Sequence, residues 1–315
     1  MRDIHELKYS RLDIDTVNRM AAKDQETFVR SSEEYYNAQV FKAATLIKEG
    51  LDRLNFVLLC GPSASGKTTT AHKLKHRLIA QGVGARVISM DNFFLGIEQY
   101  PKLPDGSPDM ESIHALDLSL LNDCFDQLFE KGKTYFPTYD FTTGSRSSMD
   151  HLIETGPGDV LIMEGIHALN PMVLSHIPRE SIFRLYVSVR TKFVCGEQDV
   201  LKPKDIRLIR RIVRDHKFRN YPPESTLRQW YNVVEGEKAN IDPFRDDVDL
   251  KMDNTIDYEV SVWYDLLSGL LETLGDGAYQ KYPELERIFG ALTMFEKVDY
   301  HLIPQNSLLR EFIGE

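Results

Sequence analysis

The run Gly61-Pro62-Ser63-Ala64-Ser65-Gly66-Lys67-Thr68 narrows what this chain can fold into more than any other feature. It reads G-x-x-x-x-G-K-T without exception. Small residues let the backbone curl so that its N–H groups point at phosphate oxygens. Gly66 permits close approach, and a helix that follows adds its positive N-terminal end. The expected nucleotide-binding residues are therefore Gly61, Ser63, Ala64, Ser65, Gly66, Lys67, Thr68 and the neighbouring Thr69. Lys67 can reach the β- and γ-phosphates, which also makes it a catalytic candidate. The Thr68 hydroxyl can ligate a magnesium ion that bridges those phosphates.

Such a loop needs a strand before it and a helix after it. Phe56-Val57-Leu58-Leu59-Cys60 is a short continuous apolar run, the pattern of a strand buried on both faces. A helix is expected over 67–80, ended by Gly82 and Gly84, and the next strand over 85–90, which together make a βαβ unit. Further strands are expected at 159–163, 183–189 and near 248–252, with helices at 117–129, 204–217 and 258–274. This alternation predicts an α/β chain with the P-loop NTPase fold: a central, mainly parallel sheet flanked by helices, plus N- and C-terminal extensions. Residues 1–50 read as a helical N-terminal extension, with Val40, Ala43, Ala44 and Ile47 on one face. Residues 51–255 read as the phosphate-loop domain and 256–315 as a C-terminal helical region and extension, in which Leu308, Leu309, Phe312 and Ile313 could form a small docking face.

Composition bounds the partners. With 315 residues, 42% of them hydrophobic, the chain can bury the core of one large α/β domain. Cys60, Cys124 and Cys195 are too far apart for a metal site or a disulfide framework, which points to a reducing compartment and a cytoplasmic location. No apolar run is long enough to span a bilayer, and Met1 to Tyr9 lacks the apolar core of a secretory signal. A formal charge of −10 argues against broad nucleic-acid binding, but not against nucleotides, which need only a few local donors. A homo-oligomer is compatible with all of this.

Three features separate a kinase from other nucleotide-binding proteins. Asp91 follows the second expected strand, at the sheet edge where ligands of open parallel sheets sit. There it can take a proton from an acceptor hydroxyl or help hold magnesium. Glu164 ends the 159–163 strand in the same way and suits magnesium. The basic segment of about 202–219 places Arg207, Arg210, Arg211 and Arg214 on one side of a helix. Such a lid could close over the triphosphate, with the nucleotide as its counter-charge. His114 and His167 fall near the same cleft, belong to no ligand cluster and leave a metal role without support.

With these residues in view, the chain resembles the uridine kinase and phosphoribulokinase family of P-loop kinases over roughly residues 54–255. The resemblance rests on Gly61–Thr68, on residues 89–94 (Ser-Met-Asp-Asn-Phe-Phe) and on 137–141 (Pro-Thr-Tyr-Asp-Phe). Ser145-Arg146, Glu164-Gly165 and the arginine-rich run 207–215 complete it. It implies that Asp91 is the general base toward a ribose 5′-hydroxyl and that Glu111 binds ribose hydroxyls. It also implies that Tyr139 and Phe141 lie beside the base, and that Arg146 and the lid arginines Arg207 and Arg210 serve substrate and phosphates. Two positions depart from uridine–cytidine kinases: Gly144 stands where they place a pyrimidine-reading histidine, and Met110 where they have an aromatic residue. The expected activity is transfer of the ATP γ-phosphate to a nucleoside 5′-hydroxyl, uridine first. A kinase for a sugar phosphate or another small alcohol and a nucleotide-dependent switch are the alternatives.

Overall fold

A strand that is apolar at every position is stable only between two covering layers. In the computed structural model, which describes residues 10–314 apart from 148, 150, 176, 275 and 276, that is where it lies. The mixed-charge stretch 1–9, read above for a targeting signal, falls outside the described residues. In chain order the strands are β1 (Arg11–Asp13), β2 (Phe56–Cys60), β3 (Ala85–Ser89), β4 (Lys133–Phe136), β5 (Tyr139–Asp140) and β6 (Ser145–Arg146), followed by β7 (His151–Glu154), β8 (Val160–Glu164), β9 (Ile182–Ser188), β10 (Lys192–Cys195), β11 (Gln198–Leu201) and β12 (Leu250–Asp253). The helices are α1 (Ile14–Lys23), α2 (Gln25–Glu49), α3 (Lys67–Ala80), α4 (Leu118–Lys131) and α5 (Pro203–Arg219), then α6 (Pro223–Asn240), α7 (Trp263–Glu272), α8 (Ala278–Lys281), α9 (Pro283–Leu292) and α10 (Arg310–Ile313).

The central sheet runs β12-β9-β2-β8-β3, and all its strands are parallel. This is the α/β architecture that the alternating pattern predicts. Phe56, Leu58 and Cys60 enter the layer containing Phe125 and Phe136, while Val57 and Leu59 enter the one containing Leu74, Ile209 and Trp263. Each such side chain contributes about 1.5–3 kcal/mol on full burial. Register matters for function: Glu164 pairs with Leu59 on one side and Ser89 on the other, so three strand ends meet beside the loop.

Local signals set most helix limits. Asp117 Oδ1 accepts from Leu120 N at 3.0 Å to start α4, and Gly132 ends it at φ 69°. The helical stretch from Ile14 is two helices, because Asp24 is extended (φ −167°) and its side chain caps Thr27 N. The helix expected over 258–274 is shorter. A 3-10 turn, Glu259–Ser261, comes first and α7 starts only at Trp263, because the Glu259 carboxylate is used to hold Ile256 N and Arg210. Three small sheets, β1-β10-β11, β4-β7 and β5-β6, have strands too short for periodicity to reveal.

Helix α2 and residues 308–313 are both built into the layer that carries the loop. On α2, Gln39 exchanges two 2.9 Å hydrogen bonds with the Asp253 backbone. Leu308, Leu309, Phe312 and Ile313 are at most 1% exposed and pack in the same core. The expected docking face is therefore interior, filled by the chain's own helices. Among the described residues, no helix is long and apolar enough to cross a membrane.

Candidate active site

Ala64 and Gly66 take positive φ, 58° and 83°, and this curls the loop between β2 and α3. A Cβ on Gly61 would lie 2.0 Å from Val187 O, so only glycine lets the loop leave β2 past the end of β9. Asn254 Nδ2 donates to Ser65 O and Thr70 Oγ1, both at 2.9 Å, and fastens the loop to the end of β12. Thr70 Oγ1 donates to Gly66 O at 2.7 Å, which makes the Tyr36 hydroxyl, 2.9 Å away, a donor to Thr70. Lys67 Nζ folds back on Pro62 O at 3.2 Å. The buried Ser65 hydroxyl has no hydrogen-bond partner among the described residues. Thr69 N donates to Glu311 Oε2 at 3.0 Å, a contact that nothing local in the sequence announces.

The two strand-end carboxylates come together at this loop. Glu164 Oε1 accepts from Ser89 Oγ (2.7 Å) and from Thr68 Oγ1 (3.3 Å). Burial pushes the Glu164 carboxyl up to about 7; Asp91 adds to the rise and Lys67 opposes it. Asp91 and Lys67 line one cavity of about 90 Å³, together with Ser63, Arg211, Arg214 and Arg219.

The arginine face divides. Arg211 donates to Ser63 Oγ at 2.8 Å and Arg214 pairs with Asp215 at 2.7 Å, so both stay at the cleft. Arg207 turns away to a two-pronged pair with Glu237 and lines a separate cavity of about 280 Å³ beyond Pro62. Arg210 is fully buried, and both of its bonds to Glu259 are 2.7 Å. The nucleotide was expected as counter-charge for all four arginines; in this structure Glu237 and Glu259 supply it for Arg207 and Arg210. Asp215 is shared by Arg211, Arg214 and Arg219. Burial alone would raise its pKa, and the three guanidiniums outweigh burial and lower it. Arg219 is itself pushed down to about 10, by burial first and then by Arg214.

One wall of the cavity is aromatic and acidic. Phe94, Tyr100 and Phe141 line it with Met110 and Glu111. Tyr139 is behind this wall, 5.1 Å edge-on to Phe141 with its hydroxyl 3.2 Å from that of Tyr100, so of the expected ring pair only Phe141 faces the cavity. The Arg219 guanidinium lies 4.2 Å from the Phe141 ring centre. Glu111 is raised to about 7 by burial, against the pull of Arg211 and Lys67. Gly236 on α6 makes room for it: a Cβ there would sit 2.3 Å from Glu111 Cβ. Arg146 is held by Asp117 at 3.0 Å and does not line the cavity. Gly144 forms the turn between β5 and β6 at φ 65°. His167 is buried and held neutral, its pKa lowered to about 4 chiefly by burial, and His114 is exposed.

Phe94, Tyr100 and Arg219 are cavity residues that the sequence reading left unassigned. Arg219 stands four residues after Asp215, a helical spacing that could have signalled it. Tyr100 had no such signal. Among the described residues no group of three or more His, Cys, Asp and Glu could hold a metal ion. Thr68 and Glu164 still present hard oxygens side by side, and magnesium is commonly held by one or two protein ligands plus phosphates.

A family model described as the phosphoribulokinase / uridine kinase family matches residues 56–261, more than half of the chain. The uridine kinase of Ureaplasma urealyticum is 29% identical over 178 residues, which is 56% of this chain and 77% of that protein. The uridine kinase of Lactobacillus helveticus is 30% identical over 189 residues, 58% of this chain and 78% of that one. A solved D-glycerate 3-kinase from Cryptococcus neoformans aligns with 84% of this chain and 89% of its own at 17% identity, with a TM-score of 0.35. Tyr36 and Glu311 both lie outside the family match.

Proposed function

This chain belongs to the phosphoribulokinase / uridine kinase family, and from that premise we propose that it transfers the γ-phosphate of ATP to a nucleoside 5′-hydroxyl, with uridine the first acceptor to try. One observation carries this reading: Asp91 shares a single cavity with Lys67, Phe141 and Glu111. In this reading the donor and acceptor halves of the site meet at the Asp91 carboxylate.

In this reading the loop amides hold the donor phosphates, and Lys67, Arg211 and Arg214 hold the phosphoryl group in transfer. Asp91 accepts the acceptor hydroxyl's proton as its oxygen attacks phosphorus, and the diphosphate leaves on the loop. Phe141 stacks on the base and Glu111 accepts from ribose hydroxyls. Thr68 and Glu164 would hold magnesium, which when bound neutralises phosphate charge. Arg210 acts through the loop rather than on substrate, since its partners are Glu259, Asn254 O and Ala64 O.

A second reading has its own support. Four cations, Lys67, Arg211, Arg214 and Arg219, line the cavity with two carboxylates, Asp91 and Glu111, which favours an acceptor that is itself anionic, such as a sugar phosphate. The test is turnover: Mg·ATP with a panel of nucleosides, sugar phosphates and small alcohols, following ADP and phosphorylated product. Turnover with a non-nucleoside alone would sink the nucleoside reading, and nucleotide binding with no acceptor dependence would favour a switch. Asp91→Asn should lower transfer by about 10²–10⁴-fold while ADP still binds. Full transfer by that variant would refute the role of Asp91.

A further inference from the structure

Two of the residues that the sequence assigns to the donor nucleotide, Gly66 and Thr69, and the buried Arg210 are contacted by one short piece of chain, 308–312. A Cβ on Gly66 would lie 2.6 Å from Leu308 Cδ1. Thr69 N donates to Glu311 Oε2 at 3.0 Å. The Phe312 ring centre is 5.0 Å from the Arg210 guanidinium carbon. Leu308, Leu309, Phe312 and Ile313 are buried, and Lys217 Nζ donates to Ile313 O, so the segment is anchored, while the Glu311 side chain is only half-buried.

Thr69 is the third residue of α3, so its N–H belongs to the first turn, whose amides have no acceptor within the helix and bind anions. A carboxylate on that amide and a donor phosphate in the loop compete for one hydrogen and repel each other. The charge reaches further, since Glu311 is also among the groups that raise Glu164. We propose that Glu311 sets the affinity of the donor side: it holds the Thr69 amide against phosphate, and the donor enters only as this carboxylate turns aside. The proposal rests on the kinase reading above, in which the loop is the donor site.

The experiment is titration calorimetry of the full chain with Mg·ADP, wild type against Glu311→Gln, alongside KM for ATP and for the acceptor. Glutamine keeps an oxygen for Thr69 N–H and removes only the charge. The expected result is ADP binding at least about fivefold tighter (roughly 1 kcal/mol), ATP KM lowered by a similar factor, acceptor KM unchanged and the melting temperature retained. A cap with a purely structural role gives unchanged or weaker ADP binding, and that result in the folded variant overturns the proposal while leaving the donor reading intact. Glu311→Asp, too short to reach Thr69, should shift affinity in the same direction by less; weaker binding would count against the proposal equally. No ADP binding by any of the proteins overturns both the donor reading and this proposal.

Discussion

Replacing Arg210 with methionine removes one half of a completely enclosed ion pair. Both side chains are 0% exposed. The guanidinium donates to Glu259 twice at 2.7 Å and to Asn254 O at 2.8 Å, and Phe312 lies against it. After substitution Glu259 remains buried with Ile256 N (2.9 Å) and Trp263 Nε1 (3.3 Å) as its remaining donors among the described residues. Leaving one buried charge without its partner costs about 3–5 kcal/mol, whereas replacing both partners by apolar groups is often close to neutral. With a urea m-value of about 3 kcal/mol/M, the Arg210→Met midpoint should fall by about 1–1.7 M. The double variant Arg210→Met, Glu259→Leu should regain most of that. Urea unfolding followed by far-ultraviolet circular dichroism measures both. If Arg210→Met unfolds at the wild-type midpoint while phosphoryl transfer collapses, Arg210 stands on the phosphate and the structural assignment is wrong.

Other expectations follow from single contacts. Gly61→Ala forces a methyl to within 2.0 Å of Val187 O, so it should destabilise by about 1–3 kcal/mol and weaken ADP binding; a neutral variant would show that the strand ends have room to part. Phe125→Ala empties a site between Phe56 and Phe136 (ring centres 6.3 and 5.8 Å away) and should cost about 3–5 kcal/mol with transfer kinetics unchanged below the transition. Glu111 titrates near 7 when folded against an ordinary 4.5, so the folded state holds a proton that the unfolded state has lost. Its contribution to stability therefore falls as pH rises from 4.5 to about 7, and Glu111→Gln should flatten that part of the unfolding profile. If ionised Glu111 accepts the acceptor's hydroxyls, kcat/KM for the acceptor should rise up to about tenfold per pH unit below 7, and an unchanged profile in Glu111→Gln would exclude it.

The sequence by itself determined the loop, its flanking strand and helix, the parallel α/β order, and the placement of Asp91 and Glu164 at strand ends. Those features are written in neighbouring residues: apolar runs, small residues at the turn, and a carboxylate directly after a strand. Tertiary structure decided the partners of the long side chains. Four arginines at helical spacing look equivalent in one dimension, yet Arg207 goes to Glu237, Arg210 to Glu259, and Arg211 and Arg214 stay in the cleft. Tyr139 and Phe141 look like a pair, and only the packing of Phe94 and Tyr100 puts one behind the other. The Glu311 carboxylate reaches Thr69 across 242 residues of chain. A flexible side chain takes whichever counter-charge the packed helices bring within about 3 Å, and no local pattern encodes a distance that arises only when distant segments meet.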